Sequence, residues 1–336
     1  MKPSLLAAML CTVALVPAGQ ATERFDGRED VRGFIAEMQQ RHGFAPDELE
    51  AHFGRARVID RVITLVMPPR DPGVRSWHAY RARFIEPKRI AAGRRFMVQH
   101  RTALARAEAR YGVPKEVIAA VIGVETIYGK QLGNFGTFSA LATLAFDYPP
   151  RADLFRRELE ELLLLAREEN ADPLSYRGSY AGALGLPQFL PSSRRRYAVD
   201  FDGNGRINLT QSADDAIGSV ANFLAEHGWQ REQPIADSVI PTGDGLQPAI
   251  AAGIMPSLTA DEWAARDLQL RKVDGSGTAA TALPALPAAL IDLASPDAPT
   301  EYRLAYRNFY VITRYNRSSF YAASVMDLAA ALAAQP

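Results

Sequence analysis

Glu125 has surroundings unlike those of an ordinary surface carboxylate. It ends Val117-Ile118-Ala119-Ala120-Val121-Ile122-Gly123-Val124-Glu125, a run with no other charged residue. In a helix, positions three, four and seven apart share a face, so Glu125 falls beside Ile122, Val121 and Ile118. An anion among aliphatic side chains is poorly solvated. Its pKa rises, and it keeps its proton near neutral pH, as a general acid must. From this stretch alone, a buried glutamate paired with an arginine is the competing reading.

Two further stretches offer polar chemistry. Gly178-Ser179-Tyr180-Ala181-Gly182-Ala183-Leu184-Gly185-Leu186-Pro187-Gln188-Phe189 sets small residues around one serine and one glutamine. Glycines admit close approach of the backbone to a ligand. Ser179 and Gln188 carry neutral groups suited to sugar hydroxyls and acetamides. Tight helix packing explains the same spacing. Asp200-Phe201-Asp202-Gly203-Asn204-Gly205-Arg206-Ile207-Asn208 reads as an EF-hand loop. Asp200, Asp202 and Asn204 supply side-chain oxygens, Gly205 the sharp turn and Arg206 a backbone carbonyl. Gln211 stands where that motif carries its bidentate glutamate, and Asn208 is a further candidate ligand.

The elements that position these groups are mostly helical. Val31, Phe34, Ile35 and Met38 form a helical stripe within 28–40, and Pro46 starts a short helix through Leu49 and Phe53. Residues 68–73 read as a loop. Helix is expected over 77–110, with Pro87 and Gly93 as kinks or breaks, and again from an N1 proline at Pro114. Further helices are expected over 153–169, 212–227 and 318–332. Past Gly228 the chain turns to Pro, Gly and short apolar runs, with a turn at 274–277. Residues 302–312 alternate as a strand or strand pair.

Bulk properties narrow the partners. Lys+Arg and Asp+Glu both total 38, so no global field favours nucleic acid. Lys2, the apolar run Leu5–Val16 and the small residues up to Ala21 read as a signal peptide, implying a periplasmic protein. That apolar run is shorter than the roughly 20 residues needed to span a bilayer. The one cysteine, Cys11, falls inside it, leaving no disulfide or cysteine metal site in the mature chain. Lipid anchoring at Cys11 is disfavoured, because Leu10 stands where a lipoprotein signal needs a small residue.

Ile122-Gly123-Val124-Glu125-Thr126, Ala140-Leu141-Ala142-Thr143-Leu144-Ala145-Phe146 and residues 182–193, in that order, resemble the lytic murein transglycosylase B family. The resemblance covers nearly the whole chain after the leader and is weaker over 234–293. It implies a mainly α (α+β) fold: a goose-type-lysozyme-like helical core, an added helical domain and a small mixed domain. The expected segments are a signal peptide (1–21), a helical domain (22–110), the core with its EF-hand-like loop (111–230), a small mixed insertion (231–300) and a segment returning to the core (301–336).

By the same resemblance Glu125 is the catalytic acid, and Ser179, Gln188, Tyr80, Tyr315, Asn316 and Tyr321 line the cleft. Asp214 would close a calcium site of structural role, with no organic cofactor. Most glycosidases use two carboxylates. Here only Asp147 and Asp153 are near in sequence, so one glutamate would act as acid and then as base. The expected reaction cleaves peptidoglycan strands with formation of 1,6-anhydro ends. A hydrolytic muramidase on the same fold and a non-catalytic wall-binding protein are the alternatives. Glycan strands and other cell-wall enzymes are the expected partners of a monomer.

Overall fold

The computed structural model describes residues 24–68, 73, 75–273 and 282–334. The leader with Cys11, most of the 68–73 loop and the turn at 274–277 lie outside them. The chain divides into two units, Met1–Val58 and Ile59–Pro336. This division falls well before the boundary expected near residue 110.

In the first unit, α1 (Glu29–His42) and α2 (Pro46–Arg55) bury the expected stripes, Val31, Phe34, Ile35 and Met38 on one and Leu49 and Phe53 on the other. Glu29 and Asp30 sit in the first turn of α1, where acidic groups complement the helix N-terminus.

The second unit holds α3 (Asp60–Val66), α4 (Trp77–Ala82), α5 (Pro87–Gln99), α6 (Arg101–Tyr111), α7 (Lys115–Thr126), α8 (Thr137–Asp147), α9 (Ala152–Glu168), α10 (Pro191–Tyr197), α11 (Ala213–Glu226), α12 (Leu246–Ala251), α13 (Ala260–Ala264), α14 (Arg307–Tyr315) and α15 (Ser319–Ala333). The helical stretch expected over 77–110 is three helices. Pro87 begins α5 at its first turn, where its missing N–H costs nothing. Gly93 does not break α5, and the interruption falls at His100 instead. Pro114 is the cap before α7, one position earlier than expected. No helix among the described residues is long and apolar enough to cross a membrane.

Among the described residues, two sheets complete this unit. β1 (Phe135–Gly136) pairs with β2 (Arg177–Gly178). An antiparallel sheet in the order β4-β3-β6-β5 is built from β3 (Ala236–Thr242), β4 (Gln269–Lys272), β5 (Ala289–Ser295) and β6 (Ala298–Ala305). Residues alternate faces along a strand. β5 therefore lays Ala289, Ile291 and Leu293 on the main core and Leu290 on a smaller core with Val239, Trp263 and Leu304. The strand expected over 302–312 stops at Ala305. Phe309, Ile312 and Tyr315 are three apart, and that spacing puts them on one face of α14.

Candidate active site

α7 is apolar on nearly every side, and Val117 through Val124 are all buried. Glu125 sits in its last turn and keeps some exposed surface. Desolvation pushes its carboxyl group up to about 7, opposed by one hydrogen bond. That bond comes from the Tyr321 hydroxyl, which donates to Glu125 Oε1 at 2.6 Å. Among the described residues no cation pairs with Glu125, so the arginine-paired reading fails. No second carboxylate perturbs it either, Asp147 and Asp153 included.

Tyr321 lies on α15 and stacks on Tyr315, with ring centroids 6.3 Å apart and planes 13° from parallel. Tyr315 ends α14, and its hydroxyl donates to the Pro187 carbonyl at 2.6 Å. Tyr80, on α4, packs edge-on to Phe320 at 5.6 Å. Its phenol is raised by burial first and by the Glu125 charge second, which places it near the glutamate. Asn316 follows Tyr315 directly and is exposed.

The glycine-rich stretch is a folded loop that also packs on a helix, since a Cβ at Gly182 would lie 2.5 Å from the Leu141 side chain of α8. Gly178 bridges to Leu184, and Leu184 to Phe189. Gly185 has φ +68, and a Cβ there would lie 2.4 Å from the Leu209 carbonyl oxygen. Its glycine thus serves close approach of the protein's own backbone. Gln188 adopts φ +50, uncommon for a residue with a side chain. Its Nε2 donates to the Gly185 carbonyl at 2.9 Å and to the Leu132 carbonyl at 3.3 Å. Those bonds fix the amide and leave Oε1 as an acceptor. The Ser179 hydroxyl oxygen accepts from the Ala183 N–H at 3.0 Å, leaving its O–H as a donor.

The EF-hand-like loop forms from its own side chains. Asp200 accepts from the N–H groups of Gly203, Asn204 and Gly205, which holds its carboxyl below the usual range. Carboxylate oxygens of Asp200, Asp202 and Asp215 lie within 4.8 Å of one another, a hard-oxygen set that suits calcium. Asp215 is fully buried and accepts from the N–H groups of Phe201 at 2.8 Å and Asn208 at 2.7 Å, which clamps both ends of the loop. Two expected ligands are placed differently. Asp214 is not in this group and faces Arg106 at 3.6 Å and His100 at 3.9 Å. The Asn208 side-chain oxygen caps the next turn, accepting from the N–H groups of Thr210 and Gln211.

The family description "Transglycosylase SLT domain" matches residues 26–330. Membrane-bound lytic murein transglycosylase B of Escherichia coli (strain K12) is 39% identical over 320 residues, spanning 92% of this chain and 84% of that protein. The chain belongs to the lytic murein transglycosylase B family. Among solved structures, this transglycosylase is similar to soluble lytic transglycosylase SltB1 of Pseudomonas aeruginosa. The two are 42% identical with a TM-score of 0.80, over 90% of this chain and 98% of that one. It is also similar to the Escherichia coli lytic transglycosylase Slt35 in complex with calcium. That match is 37% identical with a TM-score of 0.76, over 93% of this chain and 96% of that one.

Sequence reasoning gave no role to the residues that anchor the end of α7 in this transglycosylase. The Thr126 hydroxyl is placed to donate to the carbonyls of Ile122 and Leu186, at 3.2 and 3.0 Å, and accepts from the Gly129 N–H. It ties the glutamate's helix to the Gln188 loop. Ile127 and Tyr128 then take φ +51 and +56. That turn folds Tyr128 back beneath α7, where a Cβ at Gly123 or Gly93 would lie 2.4 or 2.2 Å from its hydroxyl oxygen. Buried Arg89 donates to the Gly123 carbonyl at 2.5 Å. The signal available in the sequence was Gly123, a helix-weakening residue inside an apolar helix one turn before Tyr128.

Proposed function

We propose that this chain is an exported peptidoglycan lytic transglycosylase in which Glu125 is both acid and base. The observation that carries this reading is a carboxyl group raised to about 7, without an ion pair among the described residues and oriented by Tyr321. Protonated Glu125 gives its proton to the glycosidic oxygen as the bond from C1 of N-acetylmuramic acid to that oxygen breaks. The sugar's 2-acetamido group stabilises the developing charge at C1, as in substrate-assisted glycosidases. Glu125, now a carboxylate, takes the proton of the same sugar's 6-hydroxyl. Oxygen 6 bonds to C1, and the product carries a 1,6-anhydro ring with no water consumed. Ser179 O–H and Gln188 Oε1 are the groups left to position hydroxyls and acetamides in this reading, and Tyr80, Tyr315, Tyr321 and Asn316 are proposed to line the cleft with them.

The EF-hand-like loop is read as a structural calcium site, held by Asp200, Asp202, Asn204 and the Arg206 carbonyl. Calcium would neutralise converging oxygens there and brace the start of α11.

Mass spectrometry of fragments released from purified peptidoglycan tests the reaction. The expected products end in anhydro sugars, and Glu125→Gln loses about 10²-fold or more of the rate. Reducing ends would instead support the hydrolytic muramidase. Full activity of Glu125→Gln would remove the glutamate from the mechanism.

A further inference from the structure

At the opposite end of α14 from Tyr315, an open pocket of about 190 Å³ is formed. Polar Arg307, Gln230 and Gln233 line it together with Tyr306, Pro256 and Leu286. Its polar rim is built. Fully buried Asn308 donates to the carbonyls of Gln230 at 2.8 Å and Gln233 at 2.9 Å, and accepts from the Gln230 N–H at 2.8 Å. The backbone of that turn is therefore fixed. Among the described residues the carboxamides of Gln230 and Gln233 have no protein partner. The Arg307 guanidinium donates to the His227 carbonyl at 3.2 Å and lies over the Tyr310 ring at 5.3 Å, and among the described residues no carboxylate pairs with it. Gly228 leaves room for it, since a Cβ there would lie 2.7 Å from its nitrogen. The Tyr306 hydroxyl is occupied by Asp237 at 2.7 Å, so its ring presents carbon to the cavity.

We propose that this cavity is a second ligand site, which takes the free carboxylate end of a short peptide with small aliphatic side chains. A guanidinium with no carboxylate beside it matches a carboxylate through its remaining N–H donors. The two carboxamides complement a peptide group. The wall of Tyr306, Pro256 and Leu286 accepts methyl groups, which a bare inorganic anion would leave uncovered. The inference rests on the peptidoglycan reading, whose sugar strands carry peptides of this kind. From Arg307 to Tyr315 α14 rises about 12 Å. An extended peptide of four residues spans a similar length, roughly 13 Å.

Isothermal titration of the full chain with N-acetyl-D-alanyl-D-alanine tests the site without any turnover. Its failure thus leaves the catalytic reading standing, and absence of anhydro products leaves the titration result standing. The dipeptide is expected to bind, and its C-terminal amide to bind at least tenfold more weakly. Arg307→Gln, which keeps a donor for His227, should weaken the dipeptide at least tenfold. Gln233→Trp should abolish binding by filling the cavity from its exposed rim. No binding by the folded chain, equal binding of the amide, or indifference to both substitutions overturns the proposal. Inorganic phosphate binding as tightly as the dipeptide overturns it too.

Discussion

Opposing effects set the proton on Glu125. Burial raises its pKa, the Tyr321 hydroxyl lowers it, and burial is the larger. The acid form therefore declines as pH rises through about 7, and the rate should fall with it. Tyr321→Phe removes a donor that favours the carboxylate, so the alkaline limb of the pH–rate profile should move up by about one unit. A downward shift, measured on glycan strands across pH 5 to 9, would contradict the assigned roles. The apolar setting of Glu125 was legible from its neighbours, because helical spacing surrounds it with Ile118, Val121 and Ile122, while its proposed catalytic role was read through the family resemblance. Tyr321 was legible only through the family resemblance. Its sequence separation from Glu125 is 196, and no local pattern encodes a hydrogen bond across that distance.

The element that matters most is α7 with the turn that ends it. Gly123 and Gly93 make space for the Tyr128 hydroxyl, and Thr126 joins the helix to the Gln188 loop. Gly123→Ala should improve intrinsic helix propensity by about 1 kcal/mol. It should nonetheless destabilise the fold by about 1–3 kcal/mol, because Tyr128 must leave its place. Thermal unfolding checks the sign, and Tyr128→Val in the same chain should restore stability. A more stable Gly123→Ala protein would mean that Tyr128 does not anchor this turn. The helix at Val31, Phe34, Ile35 and Met38 was read from its amphipathic stripe, and α7 from the proline at its start. α8 buries residues on nearly all sides, so its apolar run has no period to read. At 302–312 a strand and a helix adjoin with one residue between them, and alternation at Tyr302 to Ala305 was carried too far.

At the scale of the molecule, the same chain supplies a sheet that packs against two cores and an EF-hand-like loop between helices. Ala289, Ile291 and Leu293 join the sheet to the helical core, so the mixed region after Gly228 is packed into the core rather than appended to it. Calcium at the Asp200–Asp202 loop should raise the unfolding temperature by several degrees, and a chelator should reverse that. Asp200→Ala should abolish the calcium effect. Asp215→Asn should lower stability even in chelator, since its carboxylate holds three backbone N–H groups. Indifference of unfolding to calcium would refute the loop's assigned role. The loop itself was legible from its spacing. Which of the adjacent acids, Asp214 or Asp215, turns inward was not, because that depends on the phase of α11 against the loop.

The most direct test is the ionisation of Glu125 itself, followed by NMR of the full chain with ¹³C-labelled glutamate carboxyls and assigned by loss of the signal in Glu125→Gln. The midpoint is expected at about 7. A midpoint at the ordinary 4.5 would leave no proton for the glycosidic oxygen at neutral pH, and the account would be wrong.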